Sequence, residues 1–191
     1  MIENRVPQSA LTSICLVGPR SVGKSVTARL IAVDLNLPWV DTDTVVDRVL
    51  HQQSRTLDEV MLSHNFGMIH RILRSELRHC LQSKQPVVIS AAGGTLWDVS
   101  CRRLISENCF VIGLLPSFNI EMSSEILFAR DRRRSHFRNI DATTLNKRIR
   151  SELSILVPIL KRISNVIILT ENLTFDVVHH KVLAAVYSAS K

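Results

Sequence analysis

The sequence predicts an α/β fold of the doubly wound type, with a parallel sheet between layers of helix. Three observations carry this. Five short apolar runs rich in β-branched residues recur along the chain: TSICLV (12–17), LPWV (37–40), PVVISA (86–91), CFVIGLL (109–115) and NVIIL (165–169). Runs that are apolar at consecutive positions suit strands buried on both faces. Helical patterns fill the gaps between the runs, and a glycine-containing loop, GPRSVGKS (18–25), joins the first run to the first helix. Strand–helix alternation with right-handed crossovers gives the doubly wound arrangement.

The chain has 191 residues, read as one domain from 1 to 191, with residues 1–11 as an N-terminal extension. That extension, MIENRVPQSAL, is polar, without the apolar stretch of a signal peptide. After the loop, SVTARLIAVDLN reads as a helix, and the second strand closes on WVDTD. Short helices are expected over 44–52 and 57–63. The spacing of Ile69, Leu73, Leu77 and Leu81, with Ile72 and Cys80 beside them, predicts a helix over 69–82. Helical patterns also cover 95–106, 121–130, 143–163 and 174–187. Pro158 is expected to kink or end the penultimate one.

GPRSVGKS fits G-x-x-x-x-G-K-S, and the fit has a mechanical reason. Gly18 and Gly23 permit a tight loop from Pro19 to Val26, and the backbone N–H groups of Arg20, Ser21, Val22 and on to Val26, Pro19 having none, turn inward to cradle phosphates. Lys24 brings a positive charge to the β- and γ-phosphates, and Ser25 Oγ is placed to ligate Mg²⁺. The following helix presents its positive N-terminus to the same anions. ATP and Mg²⁺ are therefore the expected cofactors. Asp41 and Asp43 follow the second strand, at the strand ends where ligands of parallel sheets bind. Asp41 could hold Mg²⁺, and Asp43 could take or orient the proton of an acceptor hydroxyl. The competing reading is that Asp41 or Thr42 merely caps the helix near Thr44.

Composition sets limits. Apolar residues make up 46% and charged residues 21%, a globular balance. A net charge of +7 suits anionic ligands, with nucleic acid the rival to ATP. Cys15, Cys80, Cys101 and Cys109 form no C-x-x-C pair and read as small hydrophobes in a reducing compartment. No run approaches the ~20 apolar residues of a membrane span. A cytoplasmic monomer is expected, with small-molecule partners and no membrane.

LVGPRSVGKSVTARLIAVDLNLPWVDTD resembles the opening of shikimate kinases: a GKS/T loop, a helix, a strand and D-x-D. PVVISAAGGT is similar to their third strand and Gly-rich turn, with Ala92-Gly93-Gly94 where three glycines are usual. FARDRRRSHFRN is similar to their arginine-bearing lid, placed here at about 128–141. The resemblance runs from about Thr12 to Ala185. It implies a five-stranded sheet of order 2-3-1-4-5 and transfer of the γ-phosphate of ATP to a shikimate hydroxyl. It implies Lys24 at the transferring group, Ser25 and Asp41 on Mg²⁺, and Asp43 on the acceptor hydroxyls. Gly93 and Gly94 would then line the acceptor, and Arg138 is the lid arginine expected over the nucleotide, with Arg133 or Arg134 as one-register alternatives.

The pattern fails where the family holds shikimate's carboxylate. Its F-R pair reads Phe66-Gly67 here, and its R-x-P-x-Y reads Leu156-Val157-Pro158-Ile159-Leu160. Losing one buried charge partner typically costs about 2–5 kcal/mol. Arg71, Arg74 or Arg150 is expected to substitute, with Arg71, four residues after Gly67, the first choice. The departures leave two other readings: a regulatory module that binds nucleotide without turnover, and a kinase for another polyol.

The basic segment Arg130, Arg132, Arg133, Arg134 and Arg138 reads as a lid, a solvated helix face or a nucleic-acid patch. Aromatics are only 5% and do not alternate with it, which argues against base stacking. The histidines, His64, His70, His79 and the pair His179-His180 among them, read as surface or partly buried residues. Trp39 and Trp97 are expected to be packing residues, with Trp97 alternatively edging the acceptor pocket.

Overall fold

The computed structural model describes residues 12–63, 66–83, 85–131 and 141–190. Five strands, β1 (Ser13–Val17), β2 (Trp39–Asp41), β3 (Val88–Ser90), β4 (Cys109–Leu115) and β5 (Val166–Leu169), form one sheet of order β2-β3-β1-β4-β5. Every pairing is parallel. The order is the one the resemblance implies.

Eight helices lie along the chain among the described residues, seven between strands and the last after β5: α1 (Lys24–Leu35), α2 (Thr42–Gln52), α3 (Leu57–Leu62), α4 (Phe66–Leu81), α5 (Val99–Asn108), α6 (Ile120–Asp131), α7 (Ala142–Ile163) and α8 (Phe175–Ala189). The sheet divides the apolar interior in two. Cys15, Val17, Ile89 and Val111 point to the side of α2–α7, whereas Ile14, Leu16, Val88 and Ile112 point to α1 and α8. Side chains of period two thus supply both layers, so each strand reads as a continuous apolar run. Among the described residues no helix is long and apolar enough to cross a membrane. Cys15, Cys101 and Cys109 are buried thiols and Cys80 is half-buried, all unbridged. A hydrogen bond with Cys109, with burial, raises the Cys15 pKa, and burial beside Asp98 pushes Cys101 up to about 12.

Three elements differ from the sequence expectation for local reasons. α7 runs through Pro158 to Ile163 instead of ending there. Pro158 and Ser154, whose carbonyl loses its usual N–H donor, are both exposed, so the carbonyl is open to hydration by solvent. The pattern over 95–106 splits into a 3₁₀ turn (Gly93–Trp97) and α5, because Asp98 Oδ1 accepts from Cys101 N at 2.8 Å and starts a new helix. α2 begins at Thr42 instead of Thr44, because Asp41 is its cap.

The Asp98 cap gives a pH prediction. Burial works against its charge, but hydrogen bonds from Cys101 and the nearby Arg74 and His70 prevail and lower its pKa. A depressed carboxylate stabilises the fold above its unfolded pKa, about 3.9, and that stability is lost as pH falls through the folded value. Asp98→Ala is expected to cost about 1 kcal/mol at pH 7 and nothing extra at pH 2. Urea unfolding of both proteins at the two pH values checks this; an equal difference at both would remove charge from the explanation.

Candidate active site

The site forms where β1 and β3 end. β1 runs into the loop, and Gly18 takes φ 149°, where a Cβ would run into the Leu114 carbonyl on neighbouring β4. Only glycine fits both the angle and the contact. Gly23, φ 103°, is the N-cap of α1 and supplies no side-chain cap. The first-turn amides of α1 thus face the loop without a side-chain acceptor, which suits an anion. Lys24 is buried, and its Nζ donates to Pro19 O at 2.8 Å within the same loop.

Ser25 Oγ lies 3.3 Å from Ser90 Oγ at the end of β3. Ser90 is in register with both Leu16 of β1 and Asp41 of β2. β2 is thus one strand removed from β1, and Ser90 stands between the P-loop and the first aspartate. Ser25, Ser90 and Asp41 supply hard oxygen donors, and few protein ligands are needed by Mg²⁺, which keeps several waters and phosphate oxygens. The residues fit that ion.

The two aspartates differ in placement. Asp41 Oδ1 accepts from Asp43 N at 2.9 Å, so the capping reading holds for Asp41. Asp43 is exposed, one residue into α2, and lines a cavity of about 390 Å³. Between them, Thr42 is buried; its Oγ1 accepts from Ala92 N at 2.7 Å and lies 3.4 Å from Thr95 Oγ1. This clasp fixes the Gly-rich turn beside α2. Gly93 and Gly94 line the same cavity, and a Cβ on either would meet nothing within 4 Å. The protein itself does not fill the space beside them.

Pro19 and Arg20 of the P-loop also line this cavity. Arg20 Nε lies 2.9 Å from Asp131 Oδ2, and its Nη2 lies 3.0 Å from Glu152 Oε2. Asp131 is fully buried and also accepts from Ser21 Oγ. Arg130 Nη1 donates to Ser21 O at 3.2 Å, and Arg148 Nε donates to Glu152 Oε1 at 3.2 Å. The end of α6 and the middle of α7 are thereby tied to the phosphate loop. Sequence reasoning missed this network, whose one visible sign is Asp131, an acid opening a run of arginines.

The expected substitutes for the carboxylate clamp are not brought to the cavity. Arg71 is exposed and lines outer grooves with Arg74, Ser75 and Arg78, because α4 turns that face to solvent. Arg74 lies 3.9 Å from Asp98 Oδ2. Arg150 reaches Glu121 and Asn146 on the outer side of α7. Leu156 and Phe66 do line the cavity, as do His70 and Trp97. Trp97 is 38% exposed, so it edges the pocket instead of packing inside. Trp39, 39% exposed on edge strand β2, is no core residue either. His179 pairs with Asp34 at 2.7 Å, and His180 Nδ1 lies 2.6 Å from Asp176 O. Arg132, Arg133, Arg134 and Arg138, with most of the expected lid, and His64 lie outside the described residues.

Comparison with known proteins agrees with this geometry. The family model described as shikimate kinase matches residues 20–187. The shikimate kinase of Xylella fastidiosa is 26% identical over 163 residues, covering 85% of this chain and 84% of its relative. Shikimate kinase 1 of Hamiltonella defensa is 25% identical over 184 residues, 96% of each chain. Among solved structures, the shikimate kinase from Acinetobacter baumannii in complex with shikimate superposes with a TM-score of 0.76 at 20% identity, covering 96% of this chain and 98% of that one. A small-molecule kinase fold, a phosphate loop opening onto an acceptor-sized cavity, and a family match across most of the chain converge: this protein belongs to the shikimate kinase family.

Proposed function

We propose that this protein transfers the γ-phosphoryl group of ATP to a hydroxyl of a small polyol, in the manner of the shikimate kinases. One observation carries the reading. A single cavity is bounded by Pro19 and Arg20 of the P-loop and by Asp43, Gly93 and Gly94. A nucleotide held by the loop would therefore point its last phosphate at whatever the cavity contains. The cavity's size is within the ~300–1,000 Å³ usual for small-molecule sites.

The placement of the residues supports the following roles. The α1 amides and Lys24 bind the phosphates, with Lys24 exchanging the Pro19 carbonyl for phosphate oxygen. Ser25 and Asp41 would hold Mg²⁺, which would supply neutralisation of the phosphate charge. Asp43 orients the acceptor hydroxyl and takes its proton as the new O–P bond forms and the bond from the γ-phosphorus to the bridging oxygen breaks, that oxygen leaving with ADP. Gly93 and Gly94 let the acceptor lie against the backbone. Catalysis is positioning and charge neutralisation.

ADP release with Mg-ATP, measured with and without a panel of polyols that includes shikimate, tests this. Saturable, acceptor-dependent ADP formation is expected. ATP binding by calorimetry with no acceptor-dependent ADP from any polyol would overturn the reading and leave a binding module.

A further inference from the structure

We propose that Asp131 is a positioning residue for the nucleotide: acting through Ser21 and Arg20, it holds the phosphate loop in the shape that receives a triphosphate. This rests on the nucleotide-binding part of the reading above and extends that site to the end of α6.

Two residues that local rules disfavour meet here. Ser21 has φ 58°, in the left-handed region where a side chain crowds the backbone. Asn36, Ser54 and Asn172 also have positive φ, but they are exposed and lie just past the ends of α1, α2 and β5. Ser21 is half-buried within the phosphate loop. Asp131 is the last residue of α6 and is fully buried. The C-terminus of a helix carries the negative end of its dipole, so an acid there is disfavoured, and burial of the charge adds to the cost. Paired departures of this kind mark positions that a site requires.

The contacts show how each residue supports the other. Ser21 Oγ donates to Asp131 Oδ1, and the Ser21 carbonyl accepts from Arg130 Nη1 at 3.2 Å. The side chain and the carbonyl of one strained residue are thus both held by the last two residues of α6. Asp131 Oδ2 lies 2.9 Å from Arg20 Nε, so a cation of the loop itself balances the buried carboxylate. Arg20 Nη2 lies 3.0 Å from Glu152 Oε2 on α7, which steadies the same guanidinium from a second helix.

The strained angle has a use. Gly18, φ 149°, and Gly23, φ 103°, stand on either side of Ser21. Left-handed residues in such a loop turn successive backbone N–H groups into one concavity, which binds anions. Glycine takes these angles without help, whereas serine needs a tie. The amides that follow Ser21 therefore take their direction from Asp131. Without the tie, Ser21 returns to an ordinary φ and the concavity is lost.

Substitution of Ser21 separates this role from a purely structural one. Ser21→Ala and Ser21→Gly both remove the hydroxyl, but only glycine takes a positive φ freely. Binding of a non-hydrolysable ATP analogue with Mg²⁺ is measured by calorimetry on the full chain, beside the melting temperature. Ser21→Ala is expected to weaken binding at least about tenfold, and Ser21→Gly to bind at least about fivefold more tightly than Ser21→Ala. Equal affinities of the two variants overturn the proposal, because the backbone angle would then not matter. A change confined to the melting temperature overturns it as well. Asp131→Asn is expected to weaken binding at least about tenfold, and this loss should shrink at least about threefold on the Ser21→Gly background. An equal loss on both backgrounds would show that the two residues act independently and would sink the idea. If Asp131→Asn does not fold, the two Ser21 variants, which keep the Arg20–Asp131 pair, decide alone. ADP release separates the levels: analogue binding by the parent without acceptor-dependent ADP sinks the phosphotransfer reading and leaves the role of Asp131 standing. A parent that binds no nucleotide sinks both.

Discussion

Lys24→Ala is expected to lower acceptor-dependent ADP formation by at least about 10²–10³ in kcat, the usual cost of removing one charge-stabilising group from a closed site. Lys24 sits at the first position of α1 with its ammonium 2.8 Å from Pro19 O, inside the loop that would wrap the phosphates. In the transition state of phosphoryl transfer, charge builds on the equatorial oxygens and the leaving oxygen, and a fixed cation there acts where water is excluded. Alanine keeps the helix, being the best helix former. The melting temperature should therefore stay close to that of the parent while turnover falls. Steady-state kinetics with a thermal melt decide it. Turnover at the parent's level would mean that this loop takes no part in the reaction.

Asp43→Asn is expected to separate chemistry from nucleotide binding. The side chain lies on the cavity, whereas its backbone N–H is what holds the Asp41 cap. Asparagine keeps the backbone contact and the size, so α2 and its Thr42 clasp should be unaffected. It cannot take a proton. A kcat loss of about 10²–10⁴ follows for a missing general base, with the ATP dissociation constant changed little. Calorimetry for ATP beside kinetics for turnover provides the contrast. Equal losses in both would assign Asp43 to the nucleotide.

The legible parts of this protein were those encoded locally. Consecutive apolar positions such as CFVIGLL name a doubly buried strand without tertiary information, and β4 spans that run, Cys109–Leu115. The P-loop was legible because Gly18, φ 149°, and Gly23, φ 103°, hold backbone angles that residues with a side chain rarely adopt. The strand order was available only through the resemblance, since periodicity does not say which strands are neighbours. What stayed hidden depended on distance in sequence. Ser21 and Asp131 are 110 positions apart, and no local pattern joins them. Trp97 illustrates another limit: the residue type suits core and pocket equally, and the 3₁₀ turn that carries it decides. Pro158 shows a general propensity overridden by exposure, and Arg71 shows that four residues along a helix do not guarantee the face a site requires.

The position of β1 has a consequence for motion. It is hydrogen-bonded to β3 on one edge and β4 on the other, and its alternate side chains anchor two separate cores. Its amide protons can then exchange with solvent only when the whole molecule opens, so they should be among the slowest in the chain. The loop from Gly18 starts at the end of this slowest segment. The phosphate cradle is therefore set before any nucleotide arrives, and adjustment to ligand falls to segments that lack such double anchorage.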